Sequence, residues 1–148
     1  MSLLSRKSLL AIAAIIDVAL HARGRPVSAK QLAARQGLPP RHLEPVLQAL
    51  VRDGILKGIR GPRGGYELAR ERRRINVDEI IRAARSAEDR EEGDLPRSGV
   101  LADVVLDAVA EAERAFSGAL AQINVEDLTR RAQTIREGSE RNEIDFTI

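Results

Sequence analysis

The side chains best suited to chemistry in this 148-residue sequence are the arginines that follow residue 59. The segment IRGPRGGYELARERRR concentrates guanidinium groups around short turns, and guanidinium binds phosphate groups through paired hydrogen bonds. No acid lies beside Arg60 or Arg63 in the sequence, and an arginine-rich loop is costly unless an anion is its partner. We therefore interpret this segment as anion-binding, with a purely structural surface loop as the alternative.

The residues that metal sites and enzymes most often use are absent or isolated. The chain has no cysteine, which excludes disulfides, thiolate metal sites and cysteine nucleophiles. His21 and His42 have no metal-ligand spacing and no acidic neighbour. GPRGG lies between two predicted strands, not between a strand and a helix, so it does not fit a nucleotide-binding phosphate loop. We expect neither an enzyme nor a cofactor.

The net charge of +2 conceals a strong asymmetry between the two halves of the chain. Residues 1–75 carry fifteen Lys and Arg against five Asp and Glu, a net charge of +10. Residues 76–148 carry nine against seventeen, a net charge of −8. This asymmetry indicates that the first half binds a polyanion, although solvated surfaces would explain it too.

Three helices are predicted in the first third of the chain. Ser5 is expected to cap a helix that ends near Ala22, and Ser28 to cap a second helix that ends at Gly37. A third helix follows two prolines and ends near Arg52. Two short helices joined by a glycine-containing turn form the helix-turn-helix pattern.

A β-hairpin is predicted directly after these helices. ILKGIR and YELAR read as short strands, and GPRGG between them has the residues that tight turns require. A hairpin in this position is a wing. The fold class is therefore mainly α with a small hairpin, a winged helix-turn-helix domain followed by a long dimerisation helix.

The apolar run LLAIAAII near the N-terminus resembles the core of a secretory signal. Asp17 interrupts this run, and the run is too short to cross a bilayer. We interpret it as the buried first helix, and we expect a cytoplasmic protein without a membrane partner.

The second half begins with a fourth helix, in which Asn76 and Glu79 have capping-box spacing. Residues 86–99, SAEDREEGDLPRSG, are expected to form an exposed charged loop. A last helix, VEDLTRRAQTIRE, is expected to be capped by Asn124. The final stretch is predicted to be loose, or to dock as an edge strand through Ile144, Phe146 and Ile148.

A long helix is predicted from about Ser98, with apolar residues at alternating spacings of three and four. This seam packs either on the chain's own first domain or, as we favour, on a second copy of the chain. Its members, the predicted dimerisation residues, are Ala102, Val105, Val109, Ala112, Phe116, Ala119 and Ile123. The predicted domains are residues 1–85 (winged helix-turn-helix), 86–97 (charged loop), 98–137 (dimerisation helices) and 138–148 (C-terminal tail).

Three segments together resemble the winged-helix regulators of the Rrf-two type (IscR/NsrR/CymR-like). GIRGPRGGYELAR resembles the wing signature of that family, LAARQGLPPRHLEPVLQALVRDGIL its helix-turn-helix, and INVDEIIRAA its fourth helix. The resemblance covers roughly the first 85 residues well and the rest in outline. It implies a dimeric DNA-binding regulator whose long helix forms the subunit interface.

In many members the resemblance also implies an iron–sulfur cluster held by three cysteines in the loop before the long helix. The corresponding residues 86–99 contain no cysteine, and this type of cluster requires thiolate ligands. We therefore expect no such cluster here. The first helix departs from the family as well, with Ser8 and Leu9 where many members carry glycine and an aromatic residue.

The third helix is predicted to enter the major groove of DNA, and the wing to contact the adjacent minor groove or its phosphates. Glu44 aligns with a base-contacting acid of the family; its alternative is pairing with Arg41 or Gln48 on a solvated surface. Pro45 requires that the helix begin near Arg41 or His42, or that it bend. The predicted DNA-binding residues are Ser28, Lys30, Arg41, His42, Glu44, Gln48, Arg60, Arg63 and Gly64.

The function predicted from the sequence is sequence-specific binding of double-stranded DNA at a palindromic operator. The protein would act as a homodimeric transcriptional regulator without an iron–sulfur cluster, with repression as the expected mode. The alternative is a winged-helix adaptor whose basic surface binds an acidic protein. No residue indicates an effector.

Overall fold

The computed structural model describes residues 3–86 and 99–146. Within these residues the chain is mainly helical and has one antiparallel hairpin, as the sequence predicts. The elements are α1 (Arg6–His21), α2 (Ala29–Gln36), α3 (Pro40–Arg52), β1 (Leu56–Ile59), β2 (Gly65–Leu68), α4 (Val77–Arg85), α5 (Leu106–Ala121) and α6 (Val125–Phe146).

Helix α1 forms the centre of the core. The side-chain oxygen of Ser5 accepts a hydrogen bond from the backbone N–H of Ser8 at 3.2 Å, which caps the helix as expected. The buried side of α1 is rich in alanine, so neighbouring helices approach it closely; α2, α3, α4 and α6 all pack against it. Asp17 on α1 also accepts a bidentate ion pair from Arg35 on α2, with its shortest distance at 2.6 Å.

The helix-turn-helix is formed by α2 and α3. Ser28 and Gln31 form a complete capping box at the start of α2, and Gly37 ends that helix at a φ of +66°. Helix α3 presents an apolar stripe to the core, and every member of the stripe is at most 1% exposed. Its members are Leu43, Val46, Leu47 and Leu50.

The hairpin is attached to the helix-turn-helix by backbone hydrogen bonds. Leu56 pairs with Leu68 and Ile59 with Gly65 in the antiparallel register. Beyond this ladder, Val27 and Tyr66 exchange two hydrogen bonds: the N–H of Tyr66 donates to the carbonyl of Val27 at 2.8 Å, and the N–H of Val27 donates back at 3.0 Å. Because Val27 immediately precedes the cap of α2, the wing is held against the start of that helix.

The second half of the chain is joined to the first by a similar bridge. Asn76, which caps α4 together with Glu79, pairs with Asn124. Asn124 in turn caps α6 by accepting a hydrogen bond from the N–H of Asp127 at 2.9 Å. Val125, the first residue of α6, is fully buried in the same core as α1 to α4. The last helix therefore starts inside the core that α1 to α4 form.

The structure differs from the sequence-based expectation at both ends of the long helices. Helix α6 continues to Phe146, so the prediction of a loose stretch or an edge strand through Ile144 and Phe146 is wrong for the described residues. Ile148 and most of the predicted loop, residues 87–98, lie outside the described residues. Helix α5 is preceded by a π-helical turn, Leu101–Val105, which changes the register of the first seam residues relative to a regular heptad.

We expect Gly65→Ala to destabilise the protein by about 1–3 kcal/mol, because overpacking displaces the backbone. A Cβ at this position would lie 2.4 Å from the carbonyl oxygen of Val27, so the Val27–Tyr66 bridge would have to open. The measurement is the free energy of unfolding from urea titration.

Gly58→Ala is the matched control, because it lies on the opposite strand and its Cβ would meet no atom within 4 Å. We expect Gly58→Ala to change the free energy of unfolding by less than about 1 kcal/mol. Equal losses of stability in the two variants would contradict the proposed importance of the bridge.

Candidate nucleic-acid interface

The exposed side of α3 carries the polar residues that the sequence assigns to DNA contact. Because Leu43, Val46 and Leu47 turn into the core, the residues between them point to solvent. The exposed predicted residues on α3 are Arg41, His42, Glu44 and Gln48. The apolar stripe therefore holds α3 against the core, and the polar side of the helix is available to a ligand.

Pro45 lies inside α3, not in its first turn. The helix begins at Pro40, so Pro45 is its sixth residue, and the backbone at this position has no N–H to donate to the carbonyl of Arg41. The helix nevertheless continues to Arg52. The expectation that it begins near Arg41 or His42 is therefore correct to within one or two residues.

A cleft of about 710 Å³ joins the wing to the start of α2. It brings together Ser28, Arg63 and Gly64, three of the predicted DNA-binding residues. Two residues that the sequence reasoning did not select, Arg25 and Gln31, also line it. Positive charge, amide and hydroxyl groups and the N-terminus of α2 therefore lie around one opening, and groups of these kinds commonly contact phosphate.

The tip of the wing depends on Gly64. A Cβ at Gly64 would lie 2.2 Å from the carbonyl oxygen of Ile59, so no other residue can adopt this turn without displacing the backbone. The N–H of Gly64 donates to the carbonyl of Gly61 at 2.9 Å and closes the turn. Arg60 and Arg63 stand exposed on this turn and form no ion pair with any residue that the structure describes.

Not all predicted residues line the wing cleft. Arg41 and His42 face a second opening beside the first turn of α1. Lys30, Glu44, Gln48 and Arg60 are exposed but line neither opening. Glu44 is nevertheless close enough to the wing for an electrostatic effect: burial, with a contribution from the carboxylate of Glu44, raises the pKa of Tyr66.

The surroundings of the site give no sign of a metal centre or a membrane segment. Across residues 3–86 and 99–146, no three His, Cys, Asp or Glu side chains cluster as metal ligands. None of the helices in those ranges is long and apolar enough to cross a membrane.

The model of one protein family, described as "Rrf2: Iron-dependent Transcriptional regulator", matches residues 4–131. The chain belongs to the Rrf2 family. Its members are transcriptional regulators and not enzymes, in agreement with the expectation from the sequence.

Individual relatives of this Rrf2 protein agree with that assignment. It is 38% identical to the HTH-type transcriptional regulator IscR of Xenorhabdus nematophila over 86 residues, which are 58% of this chain and 52% of IscR. The solved structure of IscR from T. potens is 33% identical, with a TM-score of 0.68 and 87% of each chain covered. CymR, the global cysteine regulator of B. subtilis, is 25% identical, with a TM-score of 0.65 over 88% of this chain and 98% of CymR. The chain spans about half the length of the curated relatives that it matches.

The description of the Rrf2 family as iron-dependent requires ligands for iron, and the usual thiolate ligands are absent from this chain. Thiolates are the usual ligands of iron–sulfur clusters, and this Rrf2 sequence has no cysteine at any position. The two histidines lie at opposite ends of α1, since His21 ends that helix and His42 lines a cleft with Arg6 and Lys7 of its first turn. A cysteine-held cluster therefore has no ligand set in this Rrf2 protein.

The arginines that follow β2 have a structural role that the sequence reasoning missed. Arg70 pairs with Glu79 on α4 at 3.3 Å, and Arg72 pairs with Glu126 on α6 at 3.2 Å. Their interpretation as anion-binding residues stays a prediction, and the structure adds a carboxylate partner to each of these two arginines. These acids come 9 and 54 positions later in the sequence, so only the fold brings them to the arginines.

The pairing of Glu79 predicts how the stability of this Rrf2 protein depends on pH. Burial acts to raise the pKa of Glu79, but the backbone N–H of Asn76 and the guanidinium of Arg70 outweigh burial and lower it. A carboxyl with a lowered pKa stabilises the fold above its unfolded pKa and loses that contribution as the pH falls through the folded value. We therefore expect the free energy of unfolding to decrease as the pH falls below 4.5.

Urea unfolding at several pH values between 7 and 3.5 measures this dependence. Glu79→Gln should be less stable than the wild type at pH 7 and should lose less stability on acidification, because the glutamine does not titrate. Arg70→Gln should weaken the acid dependence without abolishing it. The same acid dependence in Glu79→Gln and the wild type would refute this assignment.

Proposed function

We propose that this Rrf2 protein is a sequence-specific DNA-binding transcriptional regulator that binds a palindromic operator as a homodimer, in the cytoplasm, and represses transcription. The observation that carries the proposal is the cleft in which the wing tip meets the N-terminus of α2, in a chain whose α3 presents an exposed polar side. A winged helix-turn-helix places its second helix in the major groove, and this cleft then lies against the backbone of the same duplex.

Phosphate binding in this cleft follows from its charges and donors. Arg25 and Arg63 supply guanidinium groups, and the hydroxyl of Ser28 retains its proton for donation because its oxygen is the acceptor in the capping box. The positive end of the α2 dipole adds to their field. Phosphate contacts set the affinity and the register of the protein on the duplex without selecting a sequence.

Base selection is assigned to the exposed residues of α3, and to Glu44 in particular. Glu44 is the only acid of α3, and in the described structure it forms no hydrogen bond or ion pair with Arg41 or Gln48. The geometry therefore gives no support to the alternative that Glu44 only pairs on a solvated surface. A carboxylate near phosphates is repelled unless it accepts a hydrogen bond from a base, and the N4 amino group of cytosine is the usual donor.

A second copy of the chain is the proposed occupant of the predicted seam. No residue of α5 is buried, and Val105 and Val109 are 42% and 48% exposed. Phe116 and Ile123, by contrast, are half-buried by their own chain. The seam is therefore partly covered within one chain and partly exposed to solvent. Val100, Val104 and Leu106, which the heptad pattern did not select, add exposed apolar surface beside it. An apolar surface of this kind on a helix is typical of a subunit interface.

We expect Arg63→Ala to weaken binding to all sequences about equally and Glu44→Ala to change the preferred base at one position in each half-site. The operator is first selected from a random duplex pool, and competition binding with every base at each position then measures the preference. A good base contact is worth roughly 1–3 kcal/mol of discrimination.

Arg136→Ala is the control for the removal of an arginine, because Arg136 is exposed on α6 and does not line the wing cleft. An unchanged order of base preference in Glu44→Ala would refute the role of Glu44. If the wild type binds every duplex weakly and equally, the winged helix is better explained as an adaptor for an acidic protein.

We expect Val109→Asp to raise the dissociation constant of the dimer by roughly 100-fold or more, because dimerisation would bury two unpaired carboxylates. Analytical ultracentrifugation measures the association, and circular dichroism verifies that the helices remain folded. Gly118→Asp is the control: it lies about half a turn away around α5, and its Cβ would meet no atom within 4 Å. Equal dimerisation of the two variants would exclude the seam as the interface.

A further inference from the structure

The second opening beside α3 is a cleft of about 480 Å³ between α1 and the first half of α3. Leu10 and Pro45 are its apolar lining residues, and all its remaining lining residues are arginine, lysine or histidine. The complete lining is Arg6, Lys7, Leu10, Arg41, His42 and Pro45. No acidic residue lines it.

These cations are unfavourable for the isolated chain. Arg6 and Lys7 occupy the first turn of α1, where the helix dipole repels positive charge, and neither α1 nor α3 has an acid in its first turn. Arg6, Lys7 and Arg41 form no ion pair with the residues that the structure describes. Since the cations oppose one another and both helix termini, the fold gains nothing electrostatically from this arrangement, and an anion would relieve it.

The position of the cleft beside α3 favours the backbone of the DNA that α3 is proposed to contact as this anion. His42 and Glu44 are two residues apart, which places them about 160° apart around α3. Glu44 acts electrostatically on Tyr66 of the wing, whereas His42 faces the first turn of α1. The wing cleft and the α1 cleft share no lining residue, so they are two separate openings, and His42 and Glu44 lie on different sides of α3. The major groove in which such a helix sits is likewise bounded by a phosphate strand on each side.

We propose that Arg6 and Lys7 bind the phosphate backbone of the operator on the side of α3 that faces away from the wing. This inference rests on the proposed function and adds a second phosphate contact to it. Each protomer would hold the duplex from both sides of the recognition helix. The first turn of α1, and not only the wing, would then set the register of α3 in the groove.

The test is the salt dependence of operator binding by the double variant Arg6→Gln/Lys7→Gln. The slope of log Kobs against log salt changes by about 0.9 for each phosphate that the protein no longer neutralises. Two such phosphates in each protomer of a dimer predict a decrease of about 3.6 in the magnitude of the slope. Because two repelling charges are removed, the Tm of the free protein should stay constant or rise while the affinity for DNA falls. A purely structural role would make both fall together.

Arg136→Gln/Arg141→Gln is the matched control, with the same change of charge at exposed positions of α6 that line neither cleft. We expect its slope to equal that of the wild type. The contact is then located with operators that carry one neutral methylphosphonate at a time. Replacement of the phosphates that Arg6 and Lys7 bind should weaken the wild type and leave Arg6→Gln/Lys7→Gln unaffected.

The possible outcomes show whether this inference fails alone or fails together with the proposed function. Selective binding by the wild type with an unchanged slope in Arg6→Gln/Lys7→Gln would overturn this inference and leave the proposed function intact. Equal decreases in the test and control variants would also overturn it, because net charge and not a local contact would be responsible. Wild-type protein without selective DNA binding would overturn the proposed function and this inference with it.

Discussion

The two hydrogen bonds between Val27 and Tyr66 hold the wing against the start of α2, and the wing cleft depends on them. A two-stranded hairpin is marginally stable alone. Here Val27 pairs with Tyr66 of β2 in an antiparallel bridge, so the hairpin has a further backbone partner outside its two strands. Val27 is followed by Ser28, the cap of α2, so the wing and the helix N-terminus share one support. Gly65 makes the approach possible, because any side chain there would collide with the carbonyl of Val27.

Local signals allow much of the fold to be predicted from the sequence. Ser5, Ser28, Asn76 and Asn124 cap the helices that they were predicted to cap, because capping is decided within four residues. The inward stripe of α3 follows in the same way from its period. The partners of Arg70 and Arg72 could not be predicted, since Glu79 and Glu126 reach them only through the packing of α4 and α6. The π-helical turn before α5 and the continuation of α6 to Phe146 also have no local signal.

Among the residues of the two clefts, some were also predictable from the sequence and others were not. The chemistry of Ser28 and Arg63 marks each of them individually, and the structure brings them to one opening. In the sequence Arg6 and Lys7 only precede an apolar run, and their proximity to α3 is a tertiary fact. The sequence does contain one signal, which is the pair of cations in the first turn of a helix. These cations are unfavourable at the positive end of the helix dipole. Unfavourable charge that the fold does not neutralise is a reason to look for an external anion.

The anchoring of the wing has a consequence for the entropy of binding. The strands are held by Val27 on one side, and the segment that follows them is held by the Arg72–Glu126 ion pair and the Asn76–Asn124 bridge on the other. Only the five residues from Arg60 to Gly64 extend beyond these supports. Ordering a backbone costs roughly 1–2 kcal/mol per residue, so a wing that was free from its base would lose far more conformational entropy on contact with DNA. In this chain most of that entropy is lost when the protein folds, so in the proposed complex with DNA only the tip remains to be ordered.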